Sequence, residues 1–84
     1  MSKIAEFYGF SVFVDSSFSG KPQIMIAYED DGIVGFYNID KESFENDVFP
    51  DYLIIVLNEW IADNLSLLKD MWMEKRILTV PEWK

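Results

Sequence analysis

The sequence predicts an α+β domain, an antiparallel sheet of three to four strands packed on a long C-terminal helix. Two observations carry this. From Asp51 to Arg76 apolar side chains recur at helical spacing along two adjacent ridges, Ile54, Leu57, Ile61, Leu65, Leu68 and Trp72 on one, Leu53, Val56, Trp60, Leu67 and Met71 on the other. Ahead of that stretch, short runs rich in β-branched and aromatic residues are separated by Gly, Pro, Ser and Asp, the composition of strands and turns. With 84 residues the chain forms a single domain, 1–84, with a thin core.

The elements follow in order. Lys3 to Tyr8 alternates loosely and predicts a first strand, with Gly9 as a turn or bulge. Phe10 to Asp15 predicts a clearer strand, with Phe10, Val12 and Val14 on one face and Ser11, Phe13 and Asp15 on the other. Residues Ser16 to Pro22 are small and polar apart from Phe18, and form a loop. Gln23 to Glu29 is a third strand. Asp31-Gly32 then has the composition of a two-residue type I′ hairpin, in which both central residues need positive φ. That loop places Ile24 opposite Ile39, Ile26 opposite Tyr37 and Tyr28 over Gly35, an apolar face suited to the helix. The reverse face, with Gln23, Met25, Ala27, Glu29, Val34, Phe36 and Asn38, is mixed.

Ile39 to Pro50 is expected to be a polar connection in which Phe44, Val48 and Phe49 are anchors and not a strand. Pro50 suits a first helical turn, and Asp51 puts negative charge at the positive end of the helix dipole. Lys75 and Arg76 place cations at the other end, and Pro81 forbids much continuation. A continuous helix over this stretch would be about 39 Å long at about 1.5 Å per residue, long for so small a domain. A kink or break near Asn64 is therefore an alternative, because Asp63, Asn64 and Ser66 compete locally for backbone hydrogen bonds. The tail from Ile77 to Lys84 is expected to dock through Val80 and Trp83.

Composition bounds the function. Fifteen carboxylates against seven basic side chains give a net charge of −8. Such a chain repels nucleic acid directly, and its acidity suits a plain solvated surface or a basic protein partner. The sequence has no cysteine and no histidine, which removes disulfides, thiol chemistry, the commonest general base and the commonest transition-metal ligand. The N-terminal residues lack a signal-peptide core and no apolar run approaches membrane-spanning length, so a cytoplasmic protein without a membrane partner is expected.

Each candidate for chemistry has a plainer explanation. Glu29-Asp30-Asp31 gathers three carboxylates that a hard cation could use, but no EF-hand spacing follows and turn chemistry explains them. Asp40, Glu42, Glu45, Asp47 and Asp51 could supply a paired-carboxylate site only if they lined a cleft, for which so short a chain has little volume. Trp60, Trp72, Met71 and Met73 suggest a ligand box, yet at helical spacing they are expected in the core. No catalytic residue, metal ligand or cofactor is assigned. Leu53 to Leu57 is apolar all round, so Ile55 lies where one sheet cannot cover it, and a second layer is implied: a partner, a second copy or the folded-back tail.

The chain also resembles a family. The carriers are Phe7-Tyr8-Gly9-Phe10, the segment Lys21-Pro22-Gln23-Ile24-Met25-Ile26, Phe49-Pro50, and Trp60, Asn64, Leu68 and Trp72 spaced by four. In these it resembles the small bacterial domain-of-unknown-function family numbered four-one-six-zero, across nearly the whole chain. Members of that family are often encoded beside a second small protein in toxin–antitoxin-like pairs. The resemblance implies a non-enzymatic interaction protein, one component of such a pair. The family's loop usually carries a Glu-His-x-Pro-Pro-His-x-His pattern. Here residues Phe18 to Met25 stand in its place without a histidine, so no metal or acid–base role transfers. Within that segment Phe18, Lys21, Gln23 and Met25 are candidate partner contacts, together with Ile55. Self-association is a further expectation. The alternative function is an acidic nucleic-acid mimic that blocks a DNA- or RNA-binding protein, with a small hydrolase third.

Overall fold

A computed structural model describes residues 1–83. It is an α+β domain with a five-stranded antiparallel sheet in the order β1 to β5 and one C-terminal helix. The strands are β1 (Ser2–Phe7), β2 (Phe10–Val14), β3 (Gln23–Tyr28), β4 (Ile33–Asn38) and β5 (Ser43–Phe44), and α1 spans Asp51–Glu74. The helix lies on one face of the sheet. Phe10, Val12, Val14, Ile24, Ile26, Tyr37 and Ile39 are buried there against Leu53, Leu57, Trp60, Ile61, Leu68 and Met71.

The sheet is a meander whose tightest turn is not the expected one. Phe7 pairs with Phe10, and Tyr8 and Gly9 between them both have positive φ, 44° and 86°. That is the backbone a two-residue type I′ turn requires. A Cβ on Gly9 would stand 3.2 Å from Cε1 of Tyr28, so the turn is also covered by that ring. At Asp31-Gly32 only Gly32 is left-handed, with φ 66°, and Tyr28 pairs with Ile33 across a four-residue loop. The β3–β4 register is therefore Ile24 with Tyr37 and Ile26 with Gly35, two residues away from the expected pairing. A slip of two keeps every side chain on its face, which is why the apolar face survives the correction.

Gly35 is covered by Phe49, not by Tyr28. A Cβ at Gly35 would fall 2.5 Å from Cε2 of Phe49 and 2.8 Å from Cγ2 of Val48. The missing side chain thus makes room for the aromatic residue that leads into α1, and Phe49 is only 3% exposed. The connection before it is not wholly irregular. Ser43 and Phe44 form the fifth strand, pairing with Asn38 and Tyr37. Two residues are too few to show a period in sequence, and this strand is set by its surroundings. The backbone N–H of Lys41 donates to Oδ1 of Asn38, Glu42 takes a positive φ of 54°, and Glu45 N–H donates to the carbonyl of Phe36.

The helix is uninterrupted from Asp51 to Glu74, so the break considered near Asn64 does not occur. Asn64 is buried on the core side of the helix, and its Nδ2 donates to the carbonyl of Trp60 at 2.9 Å. An amide satisfied within its own helix need not break it. Pro50 is the N-cap, extended at φ −65° and ψ 158°. Past the C-terminus Lys75 is left-handed at φ 55°, and Arg76 N–H returns to the carbonyl of Met71, a Schellman-type close.

The tail docks as expected. Leu78, Val80 and Trp83 pack on the core, Trp83 meets Phe7 edge-on at 5.3 Å, and its Nε1–H donates to Asp63 at 2.9 Å. The tail covers Phe7 and meets the helix at Asp63 but leaves Ile55 63% exposed, so it is not the second layer expected there, and Lys84 lies outside the described residues. Among the described residues no helix is long and apolar enough to cross a membrane.

Candidate functional site

Strand alternation gives the sheet a second face, and none of the described elements covers it. Lys3, Phe13, Met25 and Phe36 form one cross-strand row, and Glu6, Ser11, Ala27 and Val34 form the next. Phe13, Met25 and Phe36 stand side by side on adjacent strands and keep part of their surface in solvent, while Val34 is 47% exposed. A face that met only water would be expected to alternate apolar-in with polar-out. Here the outward positions at its centre are apolar as well.

Two buried polar side chains border that apolar row. Ser11 is fully buried, and its hydroxyl donates to Oε1 of Glu29 at 2.8 Å. Asn38, also buried, donates from Nδ2 to Oε1 of Glu45 at 3.1 Å. Lys21 reaches the same Glu45 oxygen at 3.1 Å. The Asn38 amide first, then Lys21, hold the Glu45 carboxyl below its ordinary value. At the β1–β2 turn Glu6, Ser11 and Glu29 line a hollow of about 340 Å³ with the backbone of Tyr8 and Gly9. Lys3 pairs with Glu6 at 3.2 Å, and Glu29 has no ion pair among the described residues.

The candidate contact residues divide among three places. Gln23 and Met25 alternate onto the uncovered face, both partly exposed, and the exposed Lys21 just before β3 reaches its margin through Glu45. Ile55 is 63% exposed on the outer side of α1, with Tyr52 equally open one turn away. Phe18 corrects the expectation of a surface loop aromatic. It is 5% exposed and packs edge-on against Trp72 at 5.2 Å, held by a positive φ of 50°. A left-handed bend turns its ring inward to the end of the helix, so Phe18 belongs to the core and cannot offer a contact. Phe36 lies on the mixed reverse face of the hairpin and Phe13 on the Ser11–Asp15 side of β2, and only the pairing of β2 with β3 joins the two through Met25.

The acidic stretch converges only in part. Glu42 pairs with Lys69 at 3.2 Å, Glu45 with Lys21, and Asp40 borders a hollow of about 400 Å³ beside Trp72 and Met73. Glu45, Asp47 and Asp51 line a different hollow, of about 500 Å³, with Phe44, Asn46 and Ile54. Among the described residues no three His, Cys, Asp or Glu side chains come together as a metal site. Trp60 is core, 1% exposed and stacked on Phe7 at 4.8 Å. Trp72 is half-buried, and its indole N–H has no acceptor among the described residues. No family model, characterised protein or solved structure matches the chain.

Proposed function

We propose that this protein is a non-enzymatic protein-interaction domain of the cytoplasm that holds its partner on the uncovered face of its sheet. As the sequence resemblance implies, it is one component of a bacterial toxin–antitoxin-type pair. The observation that supports this is the row Phe13, Met25 and Phe36, continued by Ala27 and Val34, on the side of the sheet away from the helix. A contiguous apolar patch kept at the surface of so small a domain costs solubility, and contact is the usual reason for one. The test is co-purification from the native host of wild type and Phe36→Glu. A stoichiometric partner kept by the wild type and lost by Phe36→Glu, with the same circular dichroism, supports the reading. A partner that both retain overturns it.

The net charge of −8 favours a second reading, an acidic mimic of nucleic acid. It differs in its prediction: the partner would be displaced by DNA or RNA in competition, and Phe36→Glu would leave the complex intact.

A further inference from the structure

On the reading that the uncovered sheet face is the contact surface, we infer that its occupant is a single cationic amphipathic helix of a partner protein. The inference also gives the hollow between Glu6 and Glu29 a task, to receive one lysine or arginine side chain.

The size of the face comes first. With strands about 4.8 Å apart and about 3.3 Å per residue, five short strands present roughly 400–500 Å². A stable interface between two domains takes about 800 Å² from each partner. The apolar row Phe13, Met25 and Phe36 occupies only three adjacent strands, about 10 Å, which is the width of one helix. The opposite side of the same sheet already takes a helix in this way, through Phe10, Val12, Ile24 and Ile26.

Charge then selects among helices. At the margin of the face Lys3 is engaged by Glu6 at 3.2 Å and Lys21 by Glu45 at 3.1 Å. Among the described residues the Glu29 carboxylate has only the Ser11 hydroxyl as a partner, at 2.8 Å, and it lines the hollow of about 340 Å³ with Glu6. The exposed Lys3–Glu6 pair is worth little and exchanges readily for a better-placed cation. A guanidinium or ammonium in that hollow would meet Glu29 and Glu6 together, beside the apolar row that receives the helix's leucines or isoleucines. A second copy of this chain brings another net charge of −8, spread over the whole chain, and nucleic acid and anionic lipid are repelled likewise.

The experiment uses the whole protein and defined probes. A labelled peptide of about 18 residues, with leucine and lysine at helical spacing, is titrated by fluorescence anisotropy. A glutamate-for-lysine peptide of the same pattern is the control. The expected result is saturable binding of the lysine peptide alone. That binding is weakened about tenfold or more by Glu6→Gln/Glu29→Gln, as loss of a charge-assisted contact should do. Met25→Ser weakens it likewise, and Tyr52→Ser, at an exposed position on the outer side of α1, leaves it unchanged. Weakening by Met25→Ser but not by the double glutamine variant overturns the cationic helix and leaves the contact face standing. Binding that ignores Met25→Ser and the glutamine pair alike overturns both. A wild-type dimer in sedimentation that Met25→Ser dissolves assigns the face to a second copy and also overturns the inference.

Discussion

Gly35→Ala tests the packing on which the start of the helix depends. In a strand interior alanine is ordinarily better than glycine by about 0.5–1 kcal/mol, because glycine loses more backbone entropy on folding. Here the sign should reverse. The added Cβ would lie 2.5 Å from Phe49 Cε2 and 2.8 Å from Val48 Cγ2, both well inside contact. Val48, 37% exposed, can yield, whereas Phe49, 3% exposed and in contact with Phe10 and Phe44, cannot. Overpacking of this kind costs about 1–3 kcal/mol, and complete expulsion of the ring would approach the about 3–5 kcal/mol of a Phe→Ala change. After the propensity gain is subtracted, we predict a net loss of about 2 kcal/mol. That is a large share of the roughly 4–13 kcal/mol expected of a chain this size, and lowers Tm by about 8–16 °C. Urea denaturation followed by circular dichroism gives the value, and Phe49→Leu gives the control, since leucine lacks the ring atoms that collide. In the Phe49→Leu background Gly35→Ala should cost less than about 0.5 kcal/mol. A neutral or stabilising Gly35→Ala in the wild type would refute the reasoning, as would a full cost that Phe49→Leu does not relieve.

The remaining predictions concern backbone, core and charge. At Gly32, φ 66° with nothing within 4 Å of a Cβ, Gly32→Val should cost more than about 1 kcal/mol through backbone strain alone, and an unchanged denaturation midpoint would remove that account. Lys75, a non-glycine at φ 55°, should show the opposite sign, with Lys75→Gly raising stability by about 0.5–1 kcal/mol in the same assay. Trp60→Ala should cost about 3–5 kcal/mol because the indole is buried on Phe7, while Ile55→Glu, at a site 63% exposed, should stay within about 0.5 kcal/mol by circular dichroism. Equal destabilisation by the two would place Ile55 in the core. Because Asn38 and Lys21 hold Glu45 below its ordinary 4.5, the unfolded chain binds that proton more tightly than the fold does. The stabilisation is complete above pH 4.5 and is lost as pH falls through the lower folded value. An NMR titration should show Asn38→Ser raising the Glu45 pKa more than Lys21→Gln does, and the reverse order would contradict the assigned cause.

The apolar ridges of residues 51–76 and the alternation of Phe10, Val12 and Val14 determined the helix, the strands and the face each turns inward. Those patterns depend only on periods of 3.6 and 2, which sequence displays directly. What tertiary structure alone decided is whatever such periods cannot distinguish. A shift of two residues leaves each strand's faces unchanged, so the pairing of Ile26 with Gly35 was set by Phe49 filling the space above the glycine. Asn64 is a local breaker by composition, yet its hydrogen bond to Trp60 keeps the helix whole. Phe18 sits in a loop of small polar residues, and only a left-handed bend carries its ring to Trp72. The candidate surface is half legible in sequence: Lys21, Gln23 and Met25 belong to the segment that stands in the family's histidine loop, while nothing local marks Phe13 and Phe36. An outward apolar residue becomes a contact candidate only when its neighbours on adjacent strands are known, because it is pairing across the sheet that joins single exposed side chains into a patch.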